Sequence, residues 1–562
     1  MSTIYGTETQ FSNLHRQSIW STHENDYISL SSLPHDPLTF SPPEFDYPSL
    51  DFVQPVPAAD AISPRLAFYL SYYENAICPT MAAIDTPNNP YRQDVLLLAG
   101  DSEGLQHAIC ALAACHLRLR RRQRTTDRVC AQQRKHGRQD PFDVCFHRTE
   151  DCQPKHDYMS ASPPDEVTIA EEHHHRNVAV NLLNSSLSSP DLACHDSVLA
   201  TLFILCHYRM CESGIGQFKT QFTGAKKLMG MRSVGIETRQ WGWMETAFTF
   251  FDALSATVSE REAQLRGGYV DMIAEPQCPE HALENQAGLD GKLFKIIVHL
   301  GRLNLLSQEA SVLPLMRNCV PLPAPPVKSA RPRLSGTALA NYYHDNPTHF
   351  DGNGFATTLD DVYDYTSVDT GSSRTDEDDT RYQFWYEWES VRQALETWSF
   401  DRQALHRNLP SDSPRIPESG IRDFNLVSEA FRYAALLYTE RLAVPSAPSR
   451  SQNLQQYVLQ TLNFVRGLSD GTRLEKFILW PVFVAGSEAC EEGQRELVRR
   501  LCKSICARSG YSNNSSALEV LEKIWIEIDS EGVEGMAGSG NGKHPFKWTK
   551  HMAAMDGELI IV

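Results

Sequence analysis

Between Asp196 and Cys211 the sequence reads DSVLATLFILCHYRMC, apolar almost all the way round at helical spacing. A helix at the surface of a globular protein keeps one polar side; a helix without one must be enclosed by other elements. This segment is too short to cross a bilayer, and it carries His207 and Arg209, so it must be enclosed by protein rather than lipid. Whatever surrounds it must bring apolar faces of its own.

The rest of the chain supplies such faces, all at helical period. Leu66, Tyr69, Leu70 and Tyr73 recur three to four residues apart just after Pro64. Asn89 followed by Pro90 is a cap with proline at the first helical position. Leu105, Ile109, Leu112 and His116 then make one stripe. Phe218, Phe222, Ala225 and Met229 make another, with Lys219, Lys226 and Lys227 turned away from it. Further on come the stripes Phe431, Ala434, Ala435, Tyr438 and Leu497, Leu501, Ile505. Ser516 with Glu519 has the form of a capping box, ahead of the face Leu518, Leu521, Trp525 and Ile528. No set of alternating strands emerges. The expected fold is all-α: a large helical domain, an irregular bundle or array, with long disordered insertions.

Punctuation in the sequence divides it. Residues 1–62 are rich in Ser, Pro and Asp with isolated aromatics, a mixture that buries too little surface to offset its ordering entropy. They read as a disordered arm, and their acidic-aromatic texture (Phe40, Glu44, Phe45, Asp46, Tyr47) would suit either an activation segment or a plain linker. Residues 63–530 read as the helical domain and 531–562 as a flexible tail. Within the domain, residues 309–380 read as a mobile loop and 121–168 as an irregular basic insert. The insert interrupts a helical pair that would otherwise run from Arg118 to Ala170. Either disordered coding sequence or translated intron sequence accounts for it.

With 562 residues, 41% of them apolar, the chain can bury a large core, and a formal charge of −18 argues against a surface that grips nucleic acid or anionic lipid throughout. The fourteen cysteines lie mostly singly inside apolar segments, which suits a reduced interior better than a disulfide framework. Residues 1–30 show no apolar secretory core, and no membrane association is expected.

Chemistry-bearing motifs are few. No CxxC occurs; the closest cysteines, Cys502 and Cys506, sit one helical turn apart and read as packing residues. His173, His174 and His175 point in different directions on a helix and cannot make one clean metal site, so they read as a solvated helix start. The glycine-rich stretch Gly538–His544 departs from a phosphate loop at Ala537 and at His544. HExxH is missing. The expectation is therefore no catalytic residues, no metal ligands, no cofactor and no enzyme activity. One basic run stands out: Arg118, Arg120, Arg121, Arg122, Arg124 and Arg128, a candidate nuclear-localisation or phosphate-contact element.

Three blocks carry a family likeness. They are NPYRQDVLLLAGDSEGLQHAICALAACHL (residues 89–117), HDSVLATLFILCHYRMCESGIGQFKTQFTGAKKLM (residues 195–229), and the stretch from Leu474 to Trp525 with its Trp480-Pro481 step and ALEVLE helix. In that order they resemble the fungal-specific transcription factor domain, the regulatory domain of zinc binuclear cluster regulators. The resemblance implies a transcription regulator in the nucleus, a homodimer or a heterodimer with another regulator, and a possible small-molecule effector. It also implies an amino-terminal zinc cluster, which this sequence lacks; direct DNA contact is expected only through such a module encoded outside it. The alternative is a helical metabolite-binding or scaffold protein derived from the same domain. Trp480-Pro481 is expected to bend a buried helix, and Gly224 and Gly486 to allow close helix packing.

Overall fold

The computed structural model describes residues 62–135, 165–232, 242–276, 278–309, 312, 350–352, 376–410, 415–531 and 544–562. The chain divides into two units, residues 1–71 and 72–562. What is described of the first is the body of helix α1 (Ile62–Tyr72). The second unit holds the rest of the fold, and the all-α expectation holds: its described residues are overwhelmingly helical.

Helix α2 (Pro90–Gly100) starts as its sequence specifies. The Asn89 side chain accepts the Tyr91 N–H at 3.0 Å, and Pro90 occupies the first position, where its missing donor costs nothing. Helix α3 (Glu103–Lys135) and helix α4 (Asp165–Leu187) form an antiparallel pair. The register can be read from their contacts. His107 faces His175, Arg118 faces Glu172 and Arg121 faces Asp165, so positions rise on one helix as they fall on the other. The basic insert is therefore shorter than its composition suggests. Residues 121–135 continue α3 and 165–168 open α4, because acidic partners on α4 meet the arginines; residues 136–164 lie outside the described part.

Helix α5 (Asp196–Glu212) is the enclosed helix its pattern demands, with every residue from Val198 to Tyr208 buried. It packs on α2, α3, α4 and, past a tight turn, α6 (Phe218–Arg232). A two-residue strand, β1 (Ile215–Gly216), lies in that turn. Helix α7 (Gly242–Val258) is a second enclosed helix, with Glu245 alone half-buried. After α8 (Gly291–Ile297), α9 (Leu300–Ser307) and α10 (Asp376–Thr397) come two hairpins: α11 (Glu418–Ala443) with α12 (Gln452–Arg466), and α14 (Glu492–Ser509) with α15 (Asn513–Glu531). Helix α13 (Leu479–Ser487), buried at every residue, lies between the two hairpins. Of the expected loop 309–380, residues 309, 312 and 350–352 and the start of α10 are described; Phe350 is buried and exchanges two hydrogen bonds with the Asn184 side chain, at 2.6 and 2.7 Å.

Three local expectations are corrected. Pro481 lies in the first turn of α13, where the N–H it lacks would have had no intrahelical partner, so it opens the helix instead of bending one. The Ser516–Glu519 capping box does not form; α15 begins three residues earlier, and the Ser516 hydroxyl donates instead to the Ser213 carbonyl at 2.7 Å. A capping box does form at Glu491 and Gln494, ahead of α14. Finally, residues 544–562 of the expected flexible tail are packed: Trp548, Ile560 and Ile561 are buried, and β2 (Glu558–Leu559) pairs antiparallel with β1, Ile215 opposite Leu559. Glu558 fixes this return by accepting the Lys219 N–H at 2.9 Å and pairing with Arg261 at 3.2 Å. Of the two glycines, Gly486 makes the expected close approach: a Cβ there would stand 3.0 Å from Leu521 and 3.2 Å from Val498.

Candidate functional site

The two enclosed helices run past each other beside a pocket. Its apolar wall is Met81, Tyr91 at the start of α2, Met210 on α5, Phe250 and Phe251 on α7, and Phe477. The cavity volume is about 60 Å³. Tyr91 is fixed by its own helix start, and an aromatic cluster stands behind it, with the Tyr91 ring 5.1 Å from Trp243 and 5.9 Å from Phe203. Tyr91, Phe251 and Met210 thus belong to rigid elements, which suits a preformed site.

Three polar side chains break this wall, and each has an atom without a hydrogen-bond partner. His207 on α5 is 4% exposed; its Nδ1 lies 3.1 Å from the Tyr511 hydroxyl, while Nε2 has no partner. Gln286, on the short helix Leu283–Ala287, donates through Nε2 to the Trp243 and His281 carbonyls at 3.2 and 3.4 Å and leaves Oε1 unpaired. Asn514, at the start of α15, donates through Nδ2 to the Tyr511 carbonyl at 3.1 Å and to Asn513 Oδ1 at 3.0 Å, and leaves Oδ1 unpaired. A buried polar atom without a partner costs about 1–3 kcal/mol, and native folds keep few of them. Three such atoms belong to side chains that line this one cavity.

Burial sets the charge state. It pushes the His207 imidazole down to about 3 and the Tyr511 phenol far above its usual range, so both are neutral near pH 7. The Lys476 ammonium also lines the pocket, bonded to the Pro79 and Ala82 carbonyls at 3.1 Å each. No Asp or Glu side chain lines it, but the carboxyl-terminal residue Val562 does. The arrangement can bind and orient a small molecule.

The arginine run lies elsewhere, on α3. Arg118 makes a two-pronged pair with the buried Glu172, at 2.7 and 2.9 Å, and Tyr208 donates to the same carboxylate at 3.1 Å. Arg121 pairs with Asp165 at 3.0 Å, and Arg120 donates to the Ala507 carbonyl. These three tie α3 to its neighbours. Arg122 is exposed and Arg124 half-buried; the Arg128 side chain lies outside the described residues. In the histidine tract, His173 and His174 are exposed as expected, but His175 is buried, with its Nδ1 2.9 Å from that of His107. Among the described residues, no group of three His, Cys, Asp or Glu side chains is arranged to hold a metal ion. Cys502 is buried and unbridged.

Sequence reasoning missed the pocket. Its signal was His207, one of the few polar residues on an otherwise apolar helix; Gln286 and Asn514 carried none, since amide side chains are common everywhere.

A family model described as the fungal specific transcription factor domain matches residues 68–562. No curated protein and no solved structure matches the chain.

Proposed function

The chain belongs to the fungal-specific transcription factor domain family, and from that premise we propose that it is a nuclear regulator of transcription whose helical domain responds to a small molecule bound in the pocket. The observation that carries the reading is the extent of the match: residues 68–562 take in almost every described element, so the regulatory domain is nearly the whole of the described molecule. A domain of this kind acts by contact and by conformational bias. The buried polar atoms around the cavity offer a means of bias, since a guest that satisfies them stabilises the packed arrangement of α5, α7 and α15 by mass action. We read the protein as a non-enzyme that reaches its genes through a partner regulator or through a DNA-binding module outside this sequence.

The pocket also supports a second reading, a metabolite-binding or scaffold protein that keeps the domain without a role in transcription. Cellular location separates the two. A fluorescent fusion of the full chain in fungal cells is expected to concentrate in nuclei under at least one nutrient condition. A fusion confined to the cytoplasm under all of them would favour the second reading and overturn the first.

A further inference from the structure

We infer that the exposed aromatic strip of α10 is a docking surface for a proline-rich segment of this same chain, Pro321–Pro326. This contact is independent of any occupant of the pocket.

The strip follows from helical spacing. Tyr382, Trp385, Tyr386 and Glu389 stand at i, i+3, i+4 and i+7, so they share one face of α10. The three rings are 72%, 43% and 66% exposed, whereas the other large apolar side chains exposed among the described residues stand one to an element. Three adjacent rings left in water mark a contact surface. The strip is also braced from behind. Trp385 lies edge-on to Trp388, with 5.6 Å between ring centres, and Trp388 Nε1 donates to the Thr439 carbonyl of α11 at 2.8 Å. The Arg392 guanidinium stands 5.8 Å from the Trp388 ring and 5.2 Å from the ring of Tyr457 on α12.

The chemistry of the strip selects its occupant. Tyr and Trp rings on a rigid surface suit polyproline II, whose backbone is already extended before it binds. Single-stranded nucleic acid also stacks on such rings, but it needs free cations beside them. Here Arg392 is paired with Glu396 and Glu440 at 2.8 and 3.2 Å, and the exposed Glu389 makes no ion pair among the described residues.

The chain carries a matching ligand. Residues 321–326 read PLPAPP, and Lys328, Arg331 and Arg333 follow. In polyproline II, Pro323 to Pro326 spans about 9 Å, close to the roughly 10 Å from Tyr382 to Glu389 along α10. The basic residues behind the prolines complement Glu389.

Connectivity puts the two within reach. Trp398, just past α10, meets Asp290 at 3.1 Å, and Arg302 meets Glu387 at 2.8 Å. Positions thus fall on α10 as they rise through α8 and α9, and the end of α9 comes out toward Tyr382. Pro321 follows Glu309 by twelve residues, a reach of up to about 40 Å and several times the length of the strip. A tether of this length gives an effective concentration in roughly the millimolar range, so a free copy of the segment competes poorly with the attached one.

The test is fluorescence anisotropy of a labelled synthetic peptide, residues 320–334, titrated with the 562-residue chain and its variants. The natural chain competes with its own segment and should bind weakly. A chain with Pro321, Pro323, Pro325 and Pro326 each replaced by Ala leaves the strip open and should bind at least tenfold more tightly. Adding Tyr386→Ala should reverse that gain, with circular dichroism checking the fold. Should the four-alanine chain not fold, Lys328→Glu, Arg331→Glu and Arg333→Glu together release the segment by repulsion from Glu389, and the same ranking is expected. Equal binding by natural and released chains, abolished by Tyr386→Ala, would assign the strip to a proline-rich partner protein and overturn the contact within the chain. Binding that survives Tyr386→Ala overturns it too, as does no binding by any chain, whether or not sedimentation shows two copies associating through the strip.

Discussion

Four histidines, His107, His116, His175 and His207, are kept neutral by burial, which pulls the first down to about 4 and the others to about 3 from an ordinary 6.5. Each has a neighbour that uses the neutral ring: His107 and His175 face one another, His116 lies between the Tyr72 hydroxyl and the Ser509 carbonyl, and His207 faces Tyr511. Unfolding returns these rings to water, where they take up protons below about pH 6.5. Their contribution to stability is thus present above that pH and is lost as pH falls toward their folded values. Three buried acids, Asp94, Glu284 and Asp290, work the other way, each raised by burial. Burial raises Asp94 and Glu284 to about 7, so they favour the folded state more as pH falls from 7 through the range above their ordinary values of 3.8 and 4.5. With His299, which burial also lowers, five imidazoles stand against three acids. The urea midpoint should therefore drop between pH 6.5 and 4.5, and a midpoint that rises over that interval would contradict these assignments.

At the scale of elements, the joint between α14 and α15 shows what a single missing side chain permits. Gly510 ends α14 in the left-handed region, φ 75°, and its N–H returns to the Cys506 carbonyl at 2.9 Å. A Cβ there would stand 2.2 Å from His116 Nε2, the atom that bonds Ser509 at 3.0 Å and ties α3 to the joint. Gly510→Ala should cost about 2–4 kcal/mol, by strain at positive φ together with displacement of a buried ring. Gly493→Ala, where a Cβ would meet nothing within 4 Å, should stay within about 0.5 kcal/mol. Equal urea midpoints for the two variants would refute the argument.

Most helices were legible in the sequence because their periodicity is local. The enclosed pattern of α5, the stripe Phe431, Ala434, Ala435 and Tyr438 of α11, and the Asn89 cap all stand where their residues put them. Faces set by partners were less legible. On α14 the expected stripe was Leu497, Leu501 and Ile505, whereas Val498 and Cys502 are the buried residues beside Ile505, because α13 and α15 approach from an angle that no local pattern records. The packed return of residues 544–562 escaped for the same reason: its partner, β1, lies more than three hundred positions away in the chain. The candidate site was least legible, since its residues come from α2, α5, α7, the short helix Leu283–Ala287 and the α14–α15 joint, and meet only in three dimensions.

At the scale of the molecule, ion pairs buried between distant elements bind the second unit into one framework. Arg441 on α11 meets Glu488 beyond α13 at 2.6 and 2.8 Å, both side chains nearly inaccessible. Arg302 on α9 pairs with Glu262 and with Glu387 of α10, at 3.0 and 2.8 Å. Such pairs add modest net stability but penalise any arrangement that separates them, which favours one packing over its competitors. On the proposed reading, an occupant of a pocket walled by several elements of this framework biases the whole regulatory domain. Transcript profiling of a strain lacking this gene, against its parent and across several nutrient conditions, tests that claim most directly. Altered expression of a limited gene set in at least one condition is expected; an unchanged transcriptome in all of them would count against a role in transcription.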